Sequence, residues 1–165
     1  MAAHRLQMSS ISTNANAELR RMVHNAQFRN AAAATLTLKK RAGGNVIDEI
    51  KASTNFRHFR NRINHEVLGS AAKRHGKQLQ IVTVLELSAD HRLHYHCIID
   101  RPDYCSFERL SSIVREQWAK TDFGYQQIDI QDQADTGWTN YILKRRQKRS
   151  LLESIDWINC HLIAG

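Results

Sequence analysis

Polar and apolar residues alternate along a few short stretches of this chain and recur at helical spacing along several longer ones, a pattern that predicts a mixed α and β fold. Ala32 to Lys40 ends as an alternating Thr/Leu strand, punctuated by Ala42-Gly43-Gly44-Asn45. Asp48 to Leu68 reads as a helix with Phe56, Phe59, Ile63 and Val67 on one stripe, and Gly69 to Gln78 as a basic loop. Ile81 to Leu87 and Arg92 to Asp100 are strands joined by the turn residues Ser88-Ala89-Asp90-His91. Phe107 to Thr121 is a helix with Leu110, Ile113, Val114 and Trp118 buried, broken by Phe123-Gly124, and Tyr125 to Gln131 is a weaker strand. A further helix starts with Asp135 or Thr136 as its N-cap, and Leu151, Ile155, Ile158 and Leu162 predict a last packing helix over 151–163. Before all of these, residues 1–15 read as a mobile arm and 16–29 as a helix whose stripe is Leu19, Met22, Val23 and Phe28.

The strand from Arg92 to Asp100 has two unlike faces. His94 and His96 share one, and Leu93, Tyr95, Cys97 and Ile99 share the other. If the hairpin turns near Asp90, opposed residues have numbers summing to about 180, which sets Glu86 across from His94 and Val84 across from His96. A carboxylate and two imidazoles then converge, a ligand set for Mg²⁺, Mn²⁺ or Zn²⁺. A His-x-His pair alone is weak in a chain with nine histidines. A Glu in an otherwise apolar strand strengthens it, because such a carboxylate is costly unless paired or metal-bound.

Length and charge narrow the function. The 165 residues suit one domain, and three cysteines in no metal or redox spacing fit a reducing, intracellular (in a prokaryote, cytoplasmic) compartment. Apolar runs are too short for a membrane span. Net charge is +8, clustered at Lys39-Lys40-Arg41, at Arg57, Arg60 and Arg62, at Lys73-Arg74, and from Lys144-Arg145-Arg146 to Arg149. That clustering points to a nucleic acid, with Lys39, Lys40, Arg41, Arg57, Arg60, Arg145 and Arg146 as contacts. No G-x-x-x-x-G-K-[ST] phosphate loop is present, so no fused ATPase or helicase is expected.

A tyrosine beside such a metal can attack phosphorus if a neighbouring cation offsets the charge. Tyr95 points to the apolar face, Tyr104 follows a proline in a loop, and Tyr125 opens a strand without an adjacent cation. Tyr141 has Lys144 one helical turn away.

Three ordered blocks resemble the HUH endonucleases, specifically the single-tyrosine replication initiators of rolling-circle plasmids and single-stranded DNA viruses. Ala34-Thr35-Leu36-Thr37-Leu38 is similar to their first-strand motif, His94-Tyr95-His96 with Glu86 to their metal motif, and Tyr141-Ile142-Leu143-Lys144 to their Tyr-x-x-Lys motif. The resemblance implies an α+β fold with a central antiparallel sheet of four to five strands, helices on one side and the metal and tyrosine on the other. The nuclease domain would then be residues 31–165, preceded by the arm and helix of 1–30. It also implies Mg²⁺- or Mn²⁺-dependent nicking and joining of single-stranded origin DNA through a 5′-phosphotyrosine on Tyr141. Two alternatives are a single-tyrosine transposase of the same superfamily and a non-catalytic single-stranded DNA-binding module. A transposase would usually carry a Gln-type ligand after the tyrosine, where this chain has Lys144.

Overall fold

In the computed structural model, which describes residues 17, 20–26, 28–134 and 154–163, one antiparallel sheet of four strands carries the rest of the molecule. Its strands are β1 (Ala31–Leu38), β4 (Ile81–Leu87), β5 (Leu93–Asp100) and β6 (Gly124–Asp132), in the spatial order β4-β5-β1-β6. β1 has neighbours on both sides and is buried along nearly its whole length, which its run of alanines followed by Leu36 and Leu38 permits. Two-residue strands β2 (Arg41–Ala42) and β3 (Asn45–Val46) make a separate hairpin. Its turn puts Gly43 and Gly44 at positive φ, the backbone that a tight hairpin demands.

Helices α1 (Glu49–Leu68) and α3 (Phe107–Ala119) cover one face of the sheet. Asp48 caps α1 by accepting from the Lys51 amide at 2.8 Å, and Ser106 caps α3 by accepting from the Arg109 amide at 3.2 Å. The predicted stripes are the buried ones: Phe56, Phe59, Ile63 and Val67 on α1, and Leu110, Val114 and Trp118 on α3, meet Leu36, Leu38, Tyr95, Cys97 and Ile99. Phe56 lies 4.5 Å from the Tyr95 ring and Phe59 packs edge-on against Trp118 at 5.2 Å. The Trp118 indole donates to the Thr37 carbonyl at 3.0 Å, so the largest core residue leaves no polar atom unsatisfied.

Two expectations are corrected. The stretch after α1 is not all loop: α2 (Ser70–His75) forms between Gly69 and Gly76, both at positive φ, because Ala71 and Ala72 favour helix and Gly76 closes it by donating to their carbonyls. The described part of the C-terminal segment, 154–163, is no packing helix. Ile155 and His161 bridge onto β4, and Ile158 is 70% exposed where a helical stripe would bury it. The reason is the edge of β4, whose peptide groups need partners. His161 and Ile81 exchange two 2.8 Å backbone bonds, and the Asp156 amide donates to the Thr83 carbonyl at 3.2 Å.

The other face of the sheet carries a smaller apolar cluster toward Asp100, built from Val23, Ala31, Val82, Val84, Ile98 and Ile155. Residues 20–25 are helical, but the helix ends before Phe28, short of the expected 29, and Met22 is 46% exposed, so of the predicted stripe Val23 is the buried residue among those described. The expected arm 1–15, Leu19 and the helix beginning near Asp135 lie outside the described residues. Among the described residues no helix is long and apolar enough to cross a membrane.

Candidate metal centre

The hairpin register is the one the turn predicts. Every β4–β5 pair sums to 180, with Glu86 opposite His94 and Val84 opposite His96. Glu86 Oε2 lies 3.7 Å from His94 Nε2 and 3.4 Å from His96 Nε2, and the two Nε2 atoms are 3.1 Å apart. The rings stand edge to face, 88° apart. All three side chains are shielded, at 17%, 16% and 7% exposure for Glu86, His94 and His96.

Hydrogen bonding fixes what these atoms present. His94 Nδ1 faces the Arg92 carbonyl at 3.4 Å. A carbonyl only accepts, so the contact suits the neutral tautomer with its proton on Nδ1 and its lone pair on Nε2. His96 Nδ1 lies 3.0 Å from the Thr35 hydroxyl. A carboxylate oxygen and an imidazole lone pair thus meet a second imidazole in a shielded pocket, a donor set that suits a divalent cation. Ligand atoms on neighbouring corners around an ion at about 2.1 Å lie about 3 Å apart, close to the observed 3.1–3.7 Å. The residues therefore fit a metal, and two nitrogens and one carboxylate leave further coordination positions for water or phosphate oxygens.

The remaining candidates are distributed unequally. Thr37 pairs with His94, so Lys39, Lys40 and Arg41 continue β1 past the metal end of the sheet. Lys40 donates to the Asp90 carbonyl at 2.7 Å, Lys39 to the Asp122 carbonyl at 3.2 Å, and Arg41 is exposed. Arg57 and Arg60 sit on α1, on the face of the sheet away from the histidines. Arg60 donates to the Ile158 carbonyl at 2.9 Å and so holds the C-terminal segment. Tyr141, Lys144, Arg145 and Arg146 lie outside the described residues.

Tyr95 is fully buried on the helix side, where its hydroxyl donates to Asp156 at 2.8 Å. Burial, reinforced by the Asp156 charge, pushes its phenol well above the ordinary tyrosine range, the opposite of what a nucleophile needs. Tyr104 is 70% exposed and donates to the Val67 carbonyl at 3.3 Å. Tyr125 does have a neighbouring cation, contrary to expectation: the Arg92 guanidinium stands 4.9 Å over its ring. The residue count between Arg92 and Tyr125 conceals that pair, which forms only because β1 lies between β5 and β6. Thr35 is a site residue that sequence reasoning misses, although its place in the Thr-Leu-Thr alternation puts it on the histidine face.

A family model described as Replication-associated protein ORF2 matches residues 31–150, a span that contains all three motif blocks. No curated protein and no solved structure gives a significant match.

Proposed function

The chain belongs to the replication-associated protein ORF2 family, of the rolling-circle Rep type within the HUH superfamily, and on that premise we propose that it nicks and rejoins single-stranded DNA at a replication origin. Residues 31–165 would form the nuclease domain. The observation that carries the reading is the convergence of Glu86, His94 and His96 on one shielded point beside a basic strand end.

In this reading Glu86, His94 and His96 hold Mg²⁺ or Mn²⁺, which when bound supplies Lewis-acid charge at a phosphoryl oxygen. The Tyr141 oxygen attacks the scissile phosphorus. A bond forms from phosphorus to that oxygen, the bond to the 3′ oxygen of the upstream nucleotide breaks, and that oxygen leaves as a free 3′-OH. The protein remains attached to the 5′ phosphate. Attack by a 3′-OH on the phosphotyrosine reverses the step and joins the strand. Lys144, one turn along the same expected helix, offsets charge on the phenolate and the phosphorane. Lys39, Lys40, Arg41, Arg145 and Arg146 contact backbone phosphates. Arg57 contacts DNA that reaches the helix layer, and Arg60 serves chiefly to hold the C-terminal segment. A separate helicase supplies the unwound strand.

The test is a denaturing gel of the protein with labelled single-stranded DNA and Mn²⁺. Wild type should give a shifted covalent band, Tyr141→Phe none, and Lys144→Ala a slower one. A band that persists in Tyr141→Phe overturns the nucleophile, and no band from wild type on origin-derived strands overturns the activity in favour of a binding module.

A further inference from the structure

We propose that Thr35 is a positioning residue for the metal centre, committing His96 to the tautomer that ligates through Nε2; this rests on the metal reading above. β1 pairs Thr35 with His96, and the Thr35 hydroxyl lies 3.0 Å from His96 Nδ1. An imidazole that ligates through Nε2 carries its proton on Nδ1, and that N–H needs an acceptor when the ring is buried. His96 is 6% exposed, and Thr35 places an acceptor at hydrogen-bond distance.

The two histidines are held by chemically different partners, and the difference has a consequence. His94 faces the Arg92 carbonyl, which is fixed in turn by bonds from the Ser88 amide at 2.9 Å and the Ser88 hydroxyl at 2.8 Å. A carbonyl accepts only, so this contact favours the His94 tautomer with its lone pair on Nε2. A hydroxyl both donates and accepts, so Thr35 satisfies His96 in either tautomer. Without a cation between the rings, His96 Nε2–H can donate to His94 Nε2 across 3.1 Å while Thr35 donates to Nδ1. In the tautomer that ligates through Nε2, the Nδ1–H donates to the Thr35 hydroxyl instead. Thr35 thereby lets one buried ring serve two states without stranding a polar atom in either.

Thr35→Val keeps the shape and removes the acceptor, whereas Thr35→Ser keeps the hydroxyl. Calorimetric titration with Mn²⁺ should show Thr35→Val binding about 10- to 100-fold more weakly than wild type, with Thr35→Ser close to wild type. Nitrogen-15 NMR of the wild-type protein with Mg²⁺ should show His96 protonated at Nδ1. Equal Mn²⁺ affinity in Thr35→Val, or a Thr35→Ser as weak as Thr35→Val, overturns the proposal. So does a His96 protonated at Nε2 in the Mg²⁺-loaded wild type, a result that needs no variant to fold. No Mn²⁺ binding by wild type overturns the metal centre itself and the role of Thr35 with it, which separates the two failures.

Discussion

Replacing Tyr95 by Phe isolates one oxygen atom that ties the metal strand to the C-terminal segment. Tyr95 stands between His94 and His96 but faces the helices, and its hydroxyl donates to Asp156 Oδ2 at 2.8 Å. The same carboxylate accepts from the Ser53 hydroxyl at 3.0 Å and the Asn159 amide at 2.7 Å. The ring would keep its packing, including the 4.5 Å contact with Phe56, so the apolar contribution barely changes. What is lost is a hydrogen bond to a charged group, which contributes about 1.5–3 kcal/mol. Because Asp156 retains two donors, about 2 kcal/mol is expected, within that range. For a chain of this length that is a fall of about 4–8 °C in thermal midpoint. The pH dependence has a definite sign. A folded-state pKa raised above the ordinary value of 10 stabilises the protein below that pH and is lost above it. The gap between wild type and Tyr95→Phe should therefore be full at pH 7 and narrow above about pH 10. Thermal unfolding followed by circular dichroism at both pH values measures this, and the covalent DNA band of Tyr95→Phe should match wild type. Midpoints that coincide at pH 7, or a gap that widens in alkali, would refute the docking of Asp156 on Tyr95, and loss of the band would refute Tyr141 as nucleophile.

His94→Ala combined with His96→Ala should abolish Mn²⁺ binding in calorimetry while Glu86→Ala only weakens it; unchanged affinity in the double mutant would dismiss the site. Gly124→Ala should destabilise by about 3 kcal/mol in urea unfolding, since an added Cβ would lie 2.0 Å from the Trp118 carbonyl oxygen, a backbone atom rather than a flexible side chain. Burial pushes the Cys160 thiol up to about 11, so the stability it contributes is present below about pH 9 and lost as pH rises through 11; Cys160→Ala should make that stretch of the stability profile shallower. DNA affinity should fall steeply with salt, by a logarithmic slope of about 0.7 per contacted phosphate of a single strand, and a flat response would remove the basic clusters from the interface.

The features legible in the sequence alone are those that neighbouring residues decide. The helix stripes of α1 and α3 follow from 3.6-residue periodicity. The pairing of Glu86 with His94 follows from period-2 alternation and a short turn between two adjacent strands. Each depends on contacts within about ten residues, where the chain's own geometry leaves few alternatives. Tertiary structure alone decided the contacts made across long separations. The 155, 158, 162 spacing is compatible with a helix, but an unpaired β4 edge far back in the chain offered peptide groups, and the segment became an irregular edge instead. Ser53 and Asp156 are 103 residues apart, and Thr35 and His96 are 61 apart. Strand order put β1 between β5 and β6, and so brought Thr35 to His96 and Arg92 to Tyr125. A periodicity records which face a residue occupies; which distant strand will lie beside that face is set by the topology of the whole sheet.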